Sequence, residues 1–243
     1  MALSDAIRAF FSQYPDVVYG FADIAYSPFA REYPSAVVFA VPYGRQLTLN
    51  DYAEPDFEAG IQSAKSRLEG ILSGFEALLG EHRTEYCIPP VAQADETDLL
   101  APFSFKYAAT RAGLGWYGKN DVLITERYGP RARLSAVLVA APLEYGQPID
   151  ESRCPDDCMK CVNACPCHAL NGVKWHASLR RSELIDYHRC NRMRSAFIPK
   201  LGRKIACGLC LAACPFGTGM KDREWCLKKI PHNAPGADNV HGI

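Results

Sequence analysis

The cysteines of this 243-residue chain are concentrated in two short segments. The first segment reads Cys-x3-Cys-x2-Cys-x3-Cys-Pro from Cys154 to Pro166, and the second reads Cys-x2-Cys-x3-Cys-Pro from Cys207 to Pro215. Cysteine runs that end in Cys-Pro are typical of proteins with two iron–sulfur clusters, in which the last cysteine of each run ligates the other cluster. The total of eleven cysteines is odd. A reducing, cytoplasmic setting, which we expect for this chain, also disfavours disulfides.

This spacing leads to a specific set of ligands. The second run lacks a leading cysteine, and Cys190, upstream of it, can supply the missing thiolate. A pair of four-thiolate zinc sites is the alternative, but paired Cys-Pro ends with crossed ligands favour iron–sulfur clusters. We therefore predict two [4Fe–4S] clusters, the first held by Cys154, Cys158, Cys161 and Cys214 and the second by Cys207, Cys210, Cys190 and Cys165.

Three cysteines remain outside this set. Cys167 follows Cys165 by two residues and is expected to line a cluster, with a role as substitute ligand as the alternative. Cys87, in the segment EYCIPP, and Cys226, in REWCLKK, are expected to be small packing residues.

Charge and hydropathy exclude several classes of protein. Lysine and arginine together equal aspartate and glutamate at 27 each. This balance gives no basic footprint for nucleic acid, which we therefore do not expect as a partner. The N-terminal segment does not read as a signal peptide, and no apolar run approaches the roughly 18 residues of a membrane span. A cytoplasmic protein without a membrane partner is expected.

The sequence divides near Asp150. Residues 1–148 alternate helical and strand patterns: apolar residues recur at helical spacing from Phe57 to Leu79, and SAVVFAVP (Ser35 to Pro42) is a buried strand pattern. The segment FSFKYAATRAG predicts a short helix that ends at Gly113. Residues 149–230 are turn-rich, with one helix predicted from Ser178 to Cys190, and residues 231–243 form a polar tail. The predicted class is α+β.

A second informative stretch is ATRAGLGWYGKN, which ends at Asn120. Its glycines come after a helix and before a strand, the reverse of the order in a dinucleotide-binding fingerprint, so we reject that interpretation. Combined with the cysteine runs and with LIDYHRC before Cys190, the stretch resembles the epoxyqueuosine reductase family, whose wider superfamily includes the reductive dehalogenases. The resemblance extends from about Lys106 to Gly217.

The resemblance implies a nitroreductase-like α/β domain that binds cobalamin, followed by a small ferredoxin-like domain with two [4Fe–4S] clusters. It implies that reduced ferredoxin or flavodoxin supplies electrons for the reduction of a small-molecule substrate, and that the chain is a short form without the C-terminal tRNA-binding repeats. FMN in the same pocket is an alternative. The expected corrinoid contacts, on a turn independent of the cysteine segments, are Gly113, Gly115, Trp116, Tyr117, Gly118, Lys119 and Asn120. The alternative is that this stretch only joins a helix to a strand, with Trp116 buried in the core.

Asp98 lies nearest to the position of the family's catalytic aspartate, so the resemblance implies Asp98 as the proton donor, with Asp95 and Tyr107 as alternatives. The segment DYHRCN resembles an Asp-x-His-x-x-Gly cobalt-ligand motif, but it contains Cys190 and has Asn in place of Gly, so His188 is not assigned as a ligand. The sequence predicts an iron–sulfur oxidoreductase, and the resemblance implies that its reaction depends on a corrinoid. The alternative is an electron-transfer or corrinoid-handling protein without an organic substrate.

Overall fold

The computed structural model describes residues 2–91, 101–202 and 205–218. These residues form two compact units. The first takes the described residues of Met1–Gly44, Ile61–Trp116 and Ala132–Asp150, and the second takes those of Arg45–Gly60, Tyr117–Arg131 and Glu151–Ile243. The second unit thus includes two segments that precede Asp150 in the chain, while the assignment of a separate function to each predicted domain stays a prediction.

The first unit is built on a four-stranded antiparallel sheet. Its strands are β1 (Val18–Asp23), β2 (Ser35–Pro42), β6 (Ala132–Val139) and β3 (Tyr86–Cys87), in the order β1-β2-β6-β3. In the register of the sheet, Ala40 lies opposite Val18 on one side and Leu134 on the other. Every residue of β2, which is an inner strand, is buried, as its continuous apolar sequence predicts.

Three helices accompany the sheet: α1 (Leu3–Ser12), α2 (Glu54–Glu81) and α3 (Phe105–Arg111). Apolar side chains of α1 and α2, including Ile7, Phe11 and Phe75, form one buried cluster with Val37 and Phe39 of β2. Helix α3 begins with a hydrogen bond from the Tyr107 amide to the Ser104 hydroxyl, and a short 3₁₀ helix spans Pro28–Arg31. The mixed helix and sheet composition confirms the coarse fold class.

The second unit consists of short elements joined by turns. Strands β4 (Trp116–Tyr117), of which Trp116 is assigned to the first unit, and β5 (Leu123–Ile124) form a two-stranded sheet. The helices that follow are α4 (Lys160–Asn163), α5 (Arg181–Leu184), α6 (Tyr187–Ser195), α7 (Ile198–Leu201) and α8 (Leu209–Ala212). Within the described residues, no helix combines the length and the apolar character that a membrane crossing needs.

The predicted helix from Ser178 to Cys190 is wrong in its continuity. Ile185 has extended backbone angles and separates α5 from α6, and it forms an isolated β-bridge with Leu170. Asp186 then begins a new helix, and its carboxylate accepts a hydrogen bond from the amide of Arg189. The apolar pattern of Leu184 and Ile185 is real, because both are buried, but it arises from one helix end and one bridge.

Candidate metal centre

All eight predicted cluster ligands lie in the second unit. Two of them occupy matched positions, because Cys161 lies on α4 and Cys210 lies on α8. Each of these short helices is followed by an Ala-Cys-Pro sequence. The amides of Cys165 and Cys214 each donate to a carbonyl three residues earlier, at 3.2 and 3.1 Å. The two cysteine runs therefore fold with the same local geometry.

The first predicted ligand group surrounds a cavity. Cys154, Cys158, Cys161 and Cys214 all line the same cavity. Lys119 and Lys160 contribute to its wall and are themselves 3% and 5% exposed. The structure thus brings together the four cysteines that the crossed-ligand pattern assigns to one cluster, including Cys214 from the distant second run.

Burial sets the protonation of this group. Burial, with a smaller contribution from negative charge at Cys154 and Cys158, raises the pKa of the Cys161 thiol to about 12. Burial also raises the pKa of Cys214, where Cys161 and Cys154 add to the increase and the Arg131 guanidinium opposes it. Closely spaced buried thiols resist ionisation together unless positive charge lies among them.

The second predicted group is linked in the same way. Burial raises the pKa of Cys207 to about 11, with negative charge at Cys190 and Cys165 adding to the increase. Burial likewise raises the pKa of Cys210, with further contributions from Cys207, from Cys161 of the first group, and from Cys165 and Cys190. Cys190, on α6, therefore lies within electrostatic reach of the run that lacks a leading cysteine, as the ligand arithmetic requires.

Cys167 adds a fifth thiol to this second group. Its Sγ lies 3.7 Å from Sγ of Cys165. The hydrogen bond from Cys167 lowers the pKa of Cys165 to about 6, and the same contact raises the pKa of Cys167. The short distance agrees with a Cys167 that lines the second group, and the choice between Cys167 and Cys190 as fourth ligand is left to experiment.

The chemistry of both groups fits iron–sulfur clusters. Within residues 2–91, 101–202 and 205–218, no three metal-ligand side chains converge closely enough to hold one metal ion. Four cysteine thiols are the donor set that a [4Fe–4S] cluster takes, and each predicted group supplies four. Soft thiolate donors suit iron–sulfur clusters as well as zinc, and zinc remains the alternative.

Lys119 and Asn120 hold the cysteine loops by hydrogen bonds. The Lys119 ammonium donates to the carbonyl oxygens of Asp156 and Cys158, at 2.8 and 3.2 Å. The Asn120 amide donates to the carbonyl of Cys210 at 3.3 Å. One turn of the chain therefore connects the loop of the first run to the helix of the second. The expectation that this turn is independent of the cysteine segments is wrong.

The next residue of this turn extends the network. Asp121 has a φ of 55° and is 5% exposed. Its carboxylate accepts a hydrogen bond from Nε of Arg181 on α5, at 3.3 Å. Tyr117, which precedes the turn, stacks on Trp175 with 4.7 Å between the ring centroids. Polar and aromatic contacts therefore fix both sides of the turn within the second unit.

Arg131 is a residue of the centre that sequence reasoning missed. Its side chain is 1% exposed, and its guanidinium donates to the carbonyl oxygens of Leu47, Ala212, Cys214 and Phe216 at 2.7–3.1 Å. Three of these acceptors belong to the second cysteine run or its end. The arginine thus fixes the path of the chain around Cys214.

Tyr52 was missed as well. Its hydroxyl donates a hydrogen bond to the carbonyl oxygen of Cys207. Burial raises the pKa of Tyr52, with negative charge at Cys207 adding to the increase, so the hydroxyl keeps its proton and remains a donor. No sequence signal links the polar segment around Tyr52 to a cysteine 155 residues further along the chain.

Most of the residues expected to contact a corrinoid are buried, and Gly113 is exposed. Gly113 follows α3 with a φ of +74°, as a helix-ending glycine should, and a Cβ there would lie 2.7 Å from the Gln147 carbonyl. Trp116 and Tyr117 are 2% and 8% exposed, and Gly115 and Gly118 are also buried. Together with the contacts of Lys119 and Asn120, this burial favours a structural role, and corrinoid contact stays a prediction.

The remaining candidates are less informative. Asp98 and Asp95, like Cys226, lie outside the described residues. Tyr107, on α3, has its ring 4.6 Å from that of Tyr26. His188 is exposed on α6, and Cys87 lies half-buried in β3. None of these placements selects a proton donor.

Comparison with known proteins places this fold in a recognised class. No protein-family model matches the chain. The solved epoxyqueuosine reductase of Streptococcus thermophilus superposes with a TM-score of 0.52 at 18% identity, over 90% of this chain and 67% of the other. A reductive dehalogenase, whose structure is described as suggesting a mechanism for B12-dependent dehalogenation, superposes with a TM-score of 0.56 at 21% identity, over 80% of this chain and 27% of the other. These similarities define the fold.

Curated relatives carry the same family name. An epoxyqueuosine reductase of Lactococcus garvieae is 27% identical over 159 residues, which cover 64% of this chain and 41% of the relative. That of Gloeobacter violaceus is 34% identical over 130 residues, 51% of this chain and 38% of the relative. The matched segments thus span less than half of each relative. These matches agree with the resemblance to epoxyqueuosine reductases that the motifs predicted.

Proposed function

We propose that this chain is an iron–sulfur oxidoreductase, a reductase similar to the epoxyqueuosine reductases, in which two [4Fe–4S] clusters deliver electrons to a reducible group. The observation that carries the proposal is the grouping of Cys154, Cys158, Cys161 and Cys214 around one cavity. This grouping joins cysteines from both runs, as crossed ligation in two-cluster proteins requires. The family relationship supports the reductase chemistry.

The second cluster would be held by Cys165, Cys190, Cys207 and Cys210. When bound, the clusters supply one-electron transfer, and a corrinoid, which the resemblance implies, supplies a strongly reducing cobalt. The protein's own residues hold the thiolate loops, exclude water from them and set their charge. Lys119 and Arg131 hold the loops by hydrogen bonds to their carbonyl oxygens. The burial of Cys158 and Cys214 supports the exclusion of water.

The expectation that nucleic acid is not a partner is withdrawn. It rested on a net charge of zero over the whole chain, and that average conceals a strongly basic segment. Residues 174–202 contain seven lysines and arginines against two acidic residues, Glu183 and Asp186. One solved epoxyqueuosine reductase is described with an epoxyqueuosine-modified tRNA stem loop. The substrate class is therefore decided by experiment, with a small molecule and a tRNA stem loop as the two options.

A second candidate function is electron transfer to a corrinoid or a partner protein without an organic substrate. The observation that favours it is the use of Lys119 and Asn120 to hold the cysteine loops. The most specific part of the GLGWYGKN stretch then supports the clusters, and it does not by itself require a substrate pocket. Both functions share the two clusters and differ in what the electrons reduce.

Anaerobic reconstitution followed by visible spectroscopy separates the two functions. The holoprotein is titrated with hydroxocobalamin and, separately, with FMN, with the clusters first oxidised and then reduced by photoreduced deazaflavin. A reductase of the proposed kind binds cobalamin with a saturable spectral change and turns over a small epoxide or an epoxyqueuosine-containing stem loop. Cobalamin binding and reduction without turnover support the handling protein. Clusters with no cobalamin binding remove the corrinoid from the proposal.

A further inference from the structure

We propose that the exposed face of α6 with Arg189 and Arg192 is the docking surface for a small acidic one-electron carrier protein. Arg180 and Lys200, exposed on the chain segments before and after α6, add positive charge to this part of the sequence. This inference rests on the proposed function, because it assumes that the second cysteine group holds a cluster. It adds the place at which electrons enter the chain and the kind of surface on the donor that fits there.

The basic residues of this segment divide into two sets. Arg181 and Arg194 have internal roles: Arg181 lies 3.6 Å above the ring of Tyr187 and pairs with Asp121, and Arg194 donates to the Tyr187 hydroxyl and the Ile205 carbonyl. These two arginines therefore contribute to the position of α6.

The second set faces solvent. Arg180, Arg189, Arg192 and Lys200 are all exposed. In the described part of the chain, no carboxylate lies within 4.0 Å of any of these four cationic groups. Arg189 and Arg192 are three residues apart on one helix, where like charges destabilise slightly. Arg189 also donates to the His168 carbonyl at 3.4 Å, but a carbonyl contact does not neutralise its charge, and a negatively charged partner would.

The place of Cys190 decides which negatively charged partner fits. Cys190 lies between Arg189 and Arg192 on α6 and is half-buried. A protein docked on this face therefore comes close to a proposed ligand of the second cluster. Complexes between electron-transfer proteins have small interfaces and are transient, and charge complementarity speeds their formation. Ile198, a large apolar side chain left 45% exposed, follows α6 in the chain and offers a short-lived contact of the kind such complexes need.

A nucleic acid is the competing occupant, because phosphates also bind arginine clusters. Its binding needs only the positive charge and gives no role to the position of Cys190. The acidic redox protein accounts for both the charge and the nearby thiolate. It is therefore the occupant that the observations favour.

The test is anaerobic stopped-flow reduction of the reconstituted holoprotein by a reduced, acidic flavodoxin at several salt concentrations. The charge-reversal variant R189E/R192E is compared with the neutral variant R189Q/R192Q. A matched control, R31E/K65E, makes the same change in net charge at two exposed residues of the first unit. Iron and sulfide contents and reduction by photoreduced deazaflavin, which needs no docking, are measured for every variant.

We expect the second-order rate constant for flavodoxin to fall at least tenfold in R189E/R192E at low salt, and by less in the glutamine variant. Added salt should slow the unmodified protein and have little effect on the reversed variant, while R31E/K65E behaves like the unmodified protein. Equal rates in all variants would overturn the proposal. So would salt-sensitive tRNA stem-loop binding that R189E/R192E abolishes while its flavodoxin rate is unchanged. If the reconstituted protein binds no iron, the proposed function is wrong and the docking inference falls with it. If iron is bound but the rates do not differ, only the docking inference is wrong.

Discussion

The guanidinium of Arg131 donates a 2.7 Å hydrogen bond to the backbone carbonyl of Cys214. The relationship is specific, because the same guanidinium also reaches the carbonyls of Ala212 and Phe216 on either side of that cysteine. A buried cation with several carbonyl acceptors holds a loop in one conformation and adds positive charge next to a thiolate. The cysteine loops of this chain are thus held largely by residues from outside the cysteine runs.

Replacing Arg131 with Met should destabilise the protein by about 3 kcal/mol, because four carbonyls, three of them in buried hydrogen bonds, lose a charged donor. We also expect loss of about half of the bound iron, since Cys214 is a predicted ligand of only one cluster. Chemical denaturation and iron analysis measure the two effects. Arg127→Met, an exposed arginine in the same segment, is the control and should cost about 1 kcal/mol or less. Similar stabilities of the two variants would contradict the assigned role.

Replacing Lys119 with Met should lower the reduction potential of the first cluster. Reduction adds negative charge to the cluster, and the substitution removes a nearby buried positive charge that stabilises the added electron. The control is Lys174→Met, because Lys174 also contacts Asp156, through its carboxylate at 2.8 Å, but is exposed to solvent. Redox titration followed by electron paramagnetic resonance should show a clear negative shift for Lys119→Met and a much smaller shift for Lys174→Met. A shift of equal size in both variants would contradict the claim that the buried charge of Lys119 stabilises the reduced cluster.

Cys190 and Cys167 compete for the fourth position of the second cluster. We expect Cys190→Ala to lose about half of the iron and sulfide, because one of two clusters loses a ligand. Cys167→Ala should retain both, since Cys167 only lines the group. The opposite result, with full iron in Cys190→Ala and loss in Cys167→Ala, would reassign the ligand.

One thiol of the cluster-free chain should ionise near pH 6. The hydrogen bond from Cys167 lowers the pKa of Cys165 to about 6, whereas burial raises that of Cys161 to about 12 and that of Cys207 to about 11. Thiolate absorbance at 240 nm should therefore rise between pH 5 and 7 and fall again on acidification through pH 6. Cys167→Ala removes the donor and should move this step to higher pH. A chain with no such step would show that the 3.7 Å contact does not exist in solution.

Several features of the fold could be predicted from the sequence because their causes are local. The apolar run of Ser35–Pro42 gave a fully buried strand, and Gly113 ended α3 with a positive φ. The spacing of the cysteines predicted which of them the structure groups around one cavity. In each case a few neighbouring residues determine the outcome, or a ligand pattern with a known geometry does.

The supporting contacts could not be predicted because they join residues far apart in the chain. Arg131 and its acceptors are separated by 81–85 residues, and one of three arginines in the polar segment ERYGPRAR reads as a solvated residue. Lys119 and Asn120 were interpreted as donors to a ligand, since a Gly-Lys-Asn turn has polar ends wherever it lies. Only the fold shows that backbone carbonyls of the cysteine loops accept these hydrogen bonds.

The central claim is that two [4Fe–4S] clusters are held by crossed thiolates in the second unit. The most direct measurement is the iron, acid-labile sulfide and zinc content of the anaerobically reconstituted chain, with electron paramagnetic resonance of the reduced protein. The account predicts about eight irons and eight sulfides per chain, with the signals of two reduced clusters. About four irons per chain, or zinc in place of iron, would contradict it.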